Sequence, residues 1–362
     1  MSIYFRLNPE CYLVSGAKSC AIYNLITGEL VSLDERESNK LSLCETNHPV
    51  SKGLFLSRLE EMGFGTFYDR PIYVEKYKSW SSLELVTIWH PPPLLYLAQI
   101  QITNKCNLSC SFCKNMWCPD CIRFDGDAKE LSPDDWINII DQLADLECQN
   151  LIFTGGEATL YPELDEVLIH AKKRNLNRYI VTNGLNVPEF LREENIILNL
   201  FPSTIHLFEK IYENIRHLNK LYLNCIGLKK ETAEKLVKHK NIKNIYTKQL
   251  NYEPVTKEKL PKTTVDDFNL RLHYDPGLYS RLSITSTGDV IPCFMMTHSL
   301  GNLKETKISR CMMGLIEDYW KMNKDKIEKC KKCEFRYACP VCLPALINGD
   351  PCTYDPEVGR WL

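Results

Sequence analysis

The sequence predicts an α/β protein built on an open, partial (β/α)6 barrel of the TIM-like kind. A small module precedes the barrel and a cysteine-rich segment follows it. Three observations carry this reading. From Leu94 to about residue 255, short β-prone apolar runs alternate with helical stretches, the pattern of parallel strands with helices outside. The residues fit for chemistry stand just after those runs, where parallel α/β folds gather their sites. Finally, the 17 cysteines are clustered: five lie between Cys106 and Cys121 and seven between Cys293 and Cys352.

Composition narrows the class. A chain of 362 residues can bury a sizeable core over two or three domains. Its formal net charge of −2 implies no bulk attraction to nucleic acid. No run reaches 18 apolar residues and the N-terminus lacks a signal pattern, so a soluble, cytoplasmic protein without a membrane segment is expected. In a reducing compartment clustered cysteines more often hold metal than form disulfides. Cys11, Cys20, Cys44, Cys148 and Cys225 are scattered and read as small buried apolar residues.

Residues 1–80 form the first expected domain. Strands are expected at Tyr4 to Leu7, Ala21 to Leu25 and Leu30 to Leu33, with Thr27-Gly28-Glu29 as a turn. Helices are expected over Asp34 to Cys44 and Ser51 to Met62, with Gly63 as the stop of the second, and a further strand near Ile72 to Tyr77. The order is winged-helix-like, and the module reads either as a substrate-recognition element or as a small cap packed on the rest of the protein. Ser79 to Pro93 reads as a connector, because His90 is followed by three prolines that continue neither helix nor central strand.

The barrel domain is expected over 94–255. Its strands read as Leu94 to Ile102, Leu151 to Thr154, Tyr179 to Thr182, Ile196 to Leu200, Leu221 to Cys225 and Ile242 to Thr247. Ser132-Pro133-Asp134-Asp135 opens the first helix with an N-cap, a proline at the first position and acids in the first turn. Further helices are expected over Pro162 to Lys173, near Leu207 to Leu218 and near Glu231 to His239.

After the first strand comes Cys106-Asn107-Leu108-Ser109-Cys110-Ser111-Phe112-Cys113. Three thiolates in eight residues can converge on one face of an iron–sulfur cube, leaving one iron open to a small molecule. Zinc would ask for four protein ligands, usually as two separated pairs. Gly155-Gly156-Glu157 follows the second strand, and Asn183-Gly184 the third. The octet resembles the signature of the radical S-adenosylmethionine (radical SAM) enzymes, including Phe112 before the third cysteine. The resemblance implies that Cys106, Cys110 and Cys113 hold a 4Fe-4S cluster whose open iron binds S-adenosylmethionine. It further implies that Gly155, Gly156 and Glu157 meet the methionine amino group and that Asn183 lies near the ribose. Cys118 and Cys121 fall outside the family pattern. They read either as two free thiols in a loop or as a further metal or redox pair.

The last expected domain is 256–362. A hairpin over residues 282–292 turns at Gly288-Asp289 and ends at Cys293. Cys311 follows, then Cys330, Cys333, Cys339 and Cys342, then Cys352. Four cysteines in thirteen residues are a metal signal, a zinc ribbon being the plain alternative. The region resembles the SPASM extension of peptide-modifying radical SAM enzymes, which carries two auxiliary iron–sulfur clusters. By that resemblance Cys330, Cys333, Cys339 and Cys352 hold an outer cluster, and Cys293 and Cys342 an inner one, either with Cys311 as a further ligand or with an iron left open to substrate. Two departures stand out. Cys339 and Cys342 have two residues between them where the family has three, and Thr306 stands where the family often has a cysteine.

Together these features resemble a maturase of ribosomally made peptides, of the grasp-with-spasm and thioether-forming kinds. The implied cofactors are S-adenosylmethionine and three 4Fe-4S clusters. The implied partners are a precursor peptide, whose leader would add a strand to the N-terminal module, and a reductant such as flavodoxin or ferredoxin. The implied reaction is a thioether or C–C crosslink begun by a 5′-deoxyadenosyl radical. An oxidation of Cys or Ser on a protein partner and a non-catalytic iron–sulfur electron carrier are the other readings of the same motifs.

Overall fold

The computed structural model describes residues 2–78, 95–111, 113, 121, 129–238, 242, 244–248, 254–349 and 351–361. The connector Ser79–Pro93 with His90, the expected strand start Leu94, Phe112 and Cys118 lie outside the described residues. The chain divides into two compact units. One joins the N-terminal residues to Pro254–Gly277 and to the chain from Lys321 onward, and the other holds the residues between, including Leu278–Trp320. These units cut across the boundaries expected from the sequence.

The first unit begins with β1 (Tyr4–Leu7), β2 (Cys11–Ser15), β3 (Cys20–Asn24) and β4 (Leu30–Leu33). Helices α1 (Glu35–Glu45) and α2 (Leu54–Glu61) and strand β5 (Gly65–Tyr68) follow. β2, β3 and β4 form an antiparallel meander, and β1 pairs antiparallel with β5. Asp34 starts α1 by a reciprocal cap: its Oδ1 accepts from the Glu37 amide at 2.8 Å, and Glu37 Oε2 accepts from the Asp34 amide at 3.1 Å.

Two details differ from expectation. β2 is a strand that the sequence reading left out. The last strand is β5, not Ile72 to Tyr77. Gly65 can lie there because the Phe5 ring occupies the space of its missing Cβ, 2.3 Å from where that atom would be. Residues 76 and 77 are lashed down without strand pairing. Lys76 Nζ donates to the carbonyls of Leu7, Asn8 and Cys11 at 3.2, 3.3 and 2.9 Å, and the Tyr77 amide donates to Pro9 O at 2.8 Å.

The meander is apolar on both faces, as the period of two dictates. Leu13, Ile22 and Val31 pack toward Phe5, Leu41, Leu56 and Phe64. Val14, Ala21 and Tyr23 pack instead on Phe268, Phe335, Tyr337 and Tyr354. The β2–β3 turn is fixed to the same C-terminal segment. The Ala17 amide donates to Lys332 O, Tyr23 OH to Glu334 O, and Arg336 Nη1 to Ser15 O, at 2.8, 2.8 and 2.9 Å. The N-terminal residues therefore share a core with the segment that carries Cys330–Cys352, where the sequence suggested a separate module.

The second unit is an eight-stranded sheet. Six strands run parallel in sequence order: β6 (Leu97–Thr103), β7 (Asn150–Gly155), β8 (Asn177–Thr182), β9 (Asn195–Leu200), β10 (Lys220–Ile226) and β11 (Asn244–Lys248). Between them come α3 (Pro133–Asp145), α4 (Leu164–Lys173), α5 (Phe208–Ile215) and α6 (Lys230–Val237). The β8–β9 link is too short for a helix and holds only a 3-10 turn, Glu189–Leu191. Ser132 caps α3 with Asp135 and Pro133, as the sequence indicates. β12 (Arg281–Ile284) adds in parallel to β6, and β13 (Val290–Ile291) returns antiparallel to it. This pairing explains why Leu278–Trp320 belongs to the sheet unit. Among the described residues no helix is long and apolar enough to cross a membrane.

Candidate active site

The site is built where β6, β7, β8 and β9 end. β6 hands over to the cysteine octet through Thr103-Asn104-Lys105, which Glu130 holds by accepting from the Thr103 hydroxyl and the Asn104 amide. The end of β7 is stitched onto this segment. The Gly156 amide donates to Thr103 O at 3.0 Å and the Glu157 amide to Lys105 O at 2.8 Å. Both glycines are required. A Cβ on Gly155, whose φ is +154°, would stand 2.3 Å from Thr103 O, and one on Gly156 would stand 2.4 Å from Lys105 O. The pair thus anchors the octet rather than merely making a turn. Gly156→Ala is expected to push the two segments apart and cost about 1–3 kcal/mol, as overpacking does. Thermal unfolding checks it, and a variant that melts with the native chain contradicts it.

Glu157 is 2% exposed. Its Oε1 accepts from the Thr159 amide and hydroxyl at 3.2 and 2.7 Å, and its Oε2 from the Asn183 amide at 2.7 Å. Burial pushes its pKa up, while these donors and the Thr182 hydroxyl pull against that. The sequence reading gave this carboxylate to a bound ammonium. In the structure it first ties β7 to β8, and a ligand would meet an acceptor already held in place. Asn183 continues the chain of contacts, its Nδ2 donating to Asn107 Oδ1 within the octet at 2.7 Å.

One pocket collects these parts. Its walls include Cys106, Cys110, Cys113, Glu157, Asn183 and Asn199, and its empty space, open solvent included, is about 430 Å³. Gly156 also lines it, whereas Gly155 stands behind against Thr103. The three thiols are partly exposed, and Cys106 Sγ accepts from the Leu108 amide at 3.4 Å. Cys121 and Asn199 are among the wall residues not singled out as site residues. Cys121 lines the pocket and packs on Phe201 and Ile226. Asn199 is 1% exposed, accepts from Asn224 through Oδ1 at 3.0 Å, and among the described residues its buried Nδ2 has no acceptor. The legible signal was an asparagine near the end of the otherwise apolar run Ile196-Ile-Leu-Asn-Leu200. A buried donor without a partner is costly, so this one calls for an acceptor beyond the described residues.

The C-terminal cysteines divide between the units. In the first unit a 3-10 turn spans Cys330–Lys332, and the Cys333 amide donates to Cys330 O at 2.9 Å. Burial pushes the Cys333 thiol well up, and the nearby Cys339 and Cys352 thiols add to the shift. Among the described residues no group of three or more cysteine, histidine, aspartate or glutamate side chains is close enough to hold a metal ion. Cys342 belongs to the same unit, and its successor Leu343 donates its amide to Asp275 Oδ2 at 3.0 Å. Cys293 and Cys311 belong to the sheet unit. Cys311 is 2% exposed on a helix over Ile308–Gly314, and burial raises its pKa. A Cβ on Gly301 would lie 3.0 Å from both Cys311 Sγ and Thr306 Cγ2, so the two candidates for one ligand position flank a single glycine.

Residues 100–200 match the radical SAM superfamily, and residues 276–334 match SPASM, an iron–sulfur cluster-binding domain. The second match includes Cys293, Cys311, Cys330 and Cys333 and stops before Cys339. Among curated relatives, the PqqA peptide cyclase of Gluconobacter oxydans is 32% identical over 98 residues, covering 27% of this chain and 25% of that one. The PqqA peptide cyclase of Granulibacter bethesdensis is 29% identical over 102 residues, covering 28% and 25%. The chain thus spans about a quarter of the length of these relatives. Among solved structures, Streptococcus suis SuiB bound to S-adenosylmethionine shares 17% identity over 98% of both chains, with a TM-score of 0.53. SuiB bound to its precursor peptide SuiA gives the same score and identity, covering 98% of this chain and 97% of that one. At that identity the likeness shows the fold. Octet, glycine pair and buried glutamate lie inside the first match, and Cys293, Cys311, Cys330 and Cys333 inside the second: residues 100–200 are similar to the radical SAM superfamily and residues 276–334 to the SPASM iron–sulfur cluster-binding domain.

Proposed function

We propose that the protein installs a crosslink, thioether or C–C, in a ribosomally made precursor peptide. The observation that carries this is the pocket in which Cys106, Cys110 and Cys113 face Glu157, Asn183 and the orphaned Asn199 amide. The donor set fits a 4Fe-4S cluster with one open iron and S-adenosylmethionine beside it. Bound together, the cluster and S-adenosylmethionine supply a 5′-deoxyadenosyl radical that removes a substrate hydrogen.

The chain's own residues bind and orient. Cys106, Cys110 and Cys113 would hold three irons. Glu157, fixed by Thr159 and Asn183, would receive the methionine ammonium, whose charge offsets the burial that raises this carboxyl's pKa. Asn199 Nδ2 and Asn183 would serve the ribose or carboxylate oxygens. The open sheet of six parallel strands would act as the partial barrel. Cys330, Cys333, Cys339 and Cys352 would hold an outer cluster, and Cys293, Cys342 and Cys311 an inner one, making three. The auxiliary clusters would supply electron transfer, and a cytoplasmic reductant such as flavodoxin or ferredoxin would serve the cluster at Cys106, Cys110 and Cys113.

A peptide substrate is supported by the relatives' name, peptide cyclase, and by the fold neighbour solved with a precursor peptide. The β2–β3–β4 meander adds a further support. β4 is an end strand of that sheet among the described residues, and a leader could add beside it in a winged-helix-like manner, whereas the outer side of β2 is engaged by Lys76 and Arg336. The test is anaerobic incubation of the reduced protein and S-adenosylmethionine with a short peptide encoded beside its gene. The expected product is a peptide lighter by two hydrogens, with 5′-deoxyadenosine. An unchanged peptide beside abundant 5′-deoxyadenosine would count against crosslinking.

A further inference from the structure

Side chains alternate along a strand, and residues paired across parallel strands share a side of the sheet. Gln99, Ile152 and Tyr179 are paired in one row, Ile197 and Tyr222 in the next, and Asn224 stands two residues past Tyr222. All six are half-buried. Their alternates, such as Leu151, Ile180, Leu198 and Leu223, are fully buried, and Leu198 and Leu223 pack on Phe208, Ile211 and Ile215 of α5. The helices thus cover one side of the sheet, and among the described residues the other side keeps its partial exposure. Two residues on, that other side becomes the wall of the pocket. Tyr179 leads to Val181, and Ile197 to Asn199 and Phe201. Tyr222 leads through Asn224 to Ile226, which packs on Phe201.

This approach to the pocket is uncharged. Of the positions on this side of β6 to β10, only Lys220 carries a charge, and it stands exposed at the first residue of β10. A charged side chain entering past Tyr179 and Tyr222 would shed water with no opposite charge to meet, which is costly. The two rings offer stacking instead, and the neutral amides of Gln99 and Asn224 suit peptide backbone. Tyr179 and Tyr222 also act on one another: burial raises the pKa of the Tyr179 hydroxyl, and Tyr222 adds to the rise.

We propose that this face seats the part of the peptide that is modified, and that Tyr179 and Tyr222 restrict it to an uncharged stretch bearing an aromatic side chain. The proposal rests on the reading that the pocket acts on a peptide. Continuity identifies the occupant: a residue can lose a hydrogen in the pocket only if it reaches the pocket, and this face runs directly into the pocket wall at Val181, Asn199 and Phe201. Tyr179 and Tyr222 are specificity-determining residues in this account, since they select what arrives and take no part in the hydrogen transfer.

The probes are three blocked tripeptides, N-acetyl-Gly-Tyr-Gly-amide and its Glu and Lys counterparts, titrated into the full chain with S-adenosylmethionine present and followed by ligand-observed nuclear magnetic resonance. The tyrosyl peptide is expected to bind roughly tenfold more tightly than either charged one. Tyr222→Ala should lose most of that preference and Tyr222→Phe should keep it, because the ring is what matters. Tyr222→Lys should pass the preference to the Glu peptide, a gain that unfolding cannot mimic. If Tyr222→Lys does not fold, Tyr179→Lys decides by the same criterion. Three peptides bound alike, or a lysine variant that still binds the Glu peptide most weakly, would overturn the proposal. So would the absence of peptide binding beside adenosine binding that Tyr222→Lys weakens, which would give the face to the nucleoside. Charge-selective peptide binding by a protein that leaves the mass of the peptide encoded beside its gene unchanged would uphold the face and count against crosslinking instead.

Discussion

Replacing Cys106, Cys110 and Cys113 together by alanine is expected to abolish 5′-deoxyadenosine formation, a loss on the order of a thousandfold or more, which is about 4 kcal/mol of barrier. The three thiols share one pocket and one short loop, and that loop is fixed from both sides by Glu130 and by the Gly156 and Glu157 amides. Removing them should therefore delete the iron site and spare the fold. Iron bound by the C-terminal cysteines should remain. Cys121 is the internal control, since it lines the same pocket but packs on Phe201 and Ile226. Cys121→Ala should retain most of the cleavage. A triple variant that still forms 5′-deoxyadenosine at the native rate would remove the octet from the chemistry.

Removing residues 1–78 is expected to do more than weaken peptide binding. It should strip iron from the Cys330–Cys352 segment and leave the remainder prone to aggregation. Val14, Ala21, Tyr23 and Leu25 form one side of the core whose other side is Phe268, Phe335, Tyr337 and Tyr354. A large apolar side chain contributes about 1.5–3 kcal/mol on burial, and several such chains together approach the roughly 5–15 kcal/mol that holds a domain folded. The cut would also remove the partners of Lys332 O, Glu334 O and Arg336. Iron analysis and denaturant titration of the truncated protein check this. A truncated chain with full iron content and native stability would show that the N-terminal residues are an independent module after all.

The parallel sheet was legible because its strands are near-continuous apolar runs and its first helix carries its own start signal, the Ser132-Pro133 pair. The octet and Gly155-Gly156-Glu157 were legible as chemistry because few folding needs put such residues directly after strands. What was hidden is tertiary. Nothing local to Glu157 says that Thr159 and Asn183 will occupy its oxygens. The double-sided packing of β3 was half visible, since Cys20 to Asn24 is buried throughout, yet its second partner lies some three hundred residues on. β12 joined the sheet through pairing with β6 across a long sequence gap, which moved Leu278–Trp320 from the expected C-terminal domain to the sheet unit.

The central claim is that this pocket generates a radical that takes a hydrogen from a peptide. Hydrogen transfer itself is the most direct measurement. A precursor peptide deuterated at its side chains and α-carbons is incubated with the reduced protein and S-adenosylmethionine, and the 5′-deoxyadenosine is examined by mass spectrometry. The account predicts one deuterium in the 5′-deoxyadenosine, with the peptide losing two hydrogen isotopes. Undeuterated 5′-deoxyadenosine, formed equally fast with and without the peptide, would contradict it.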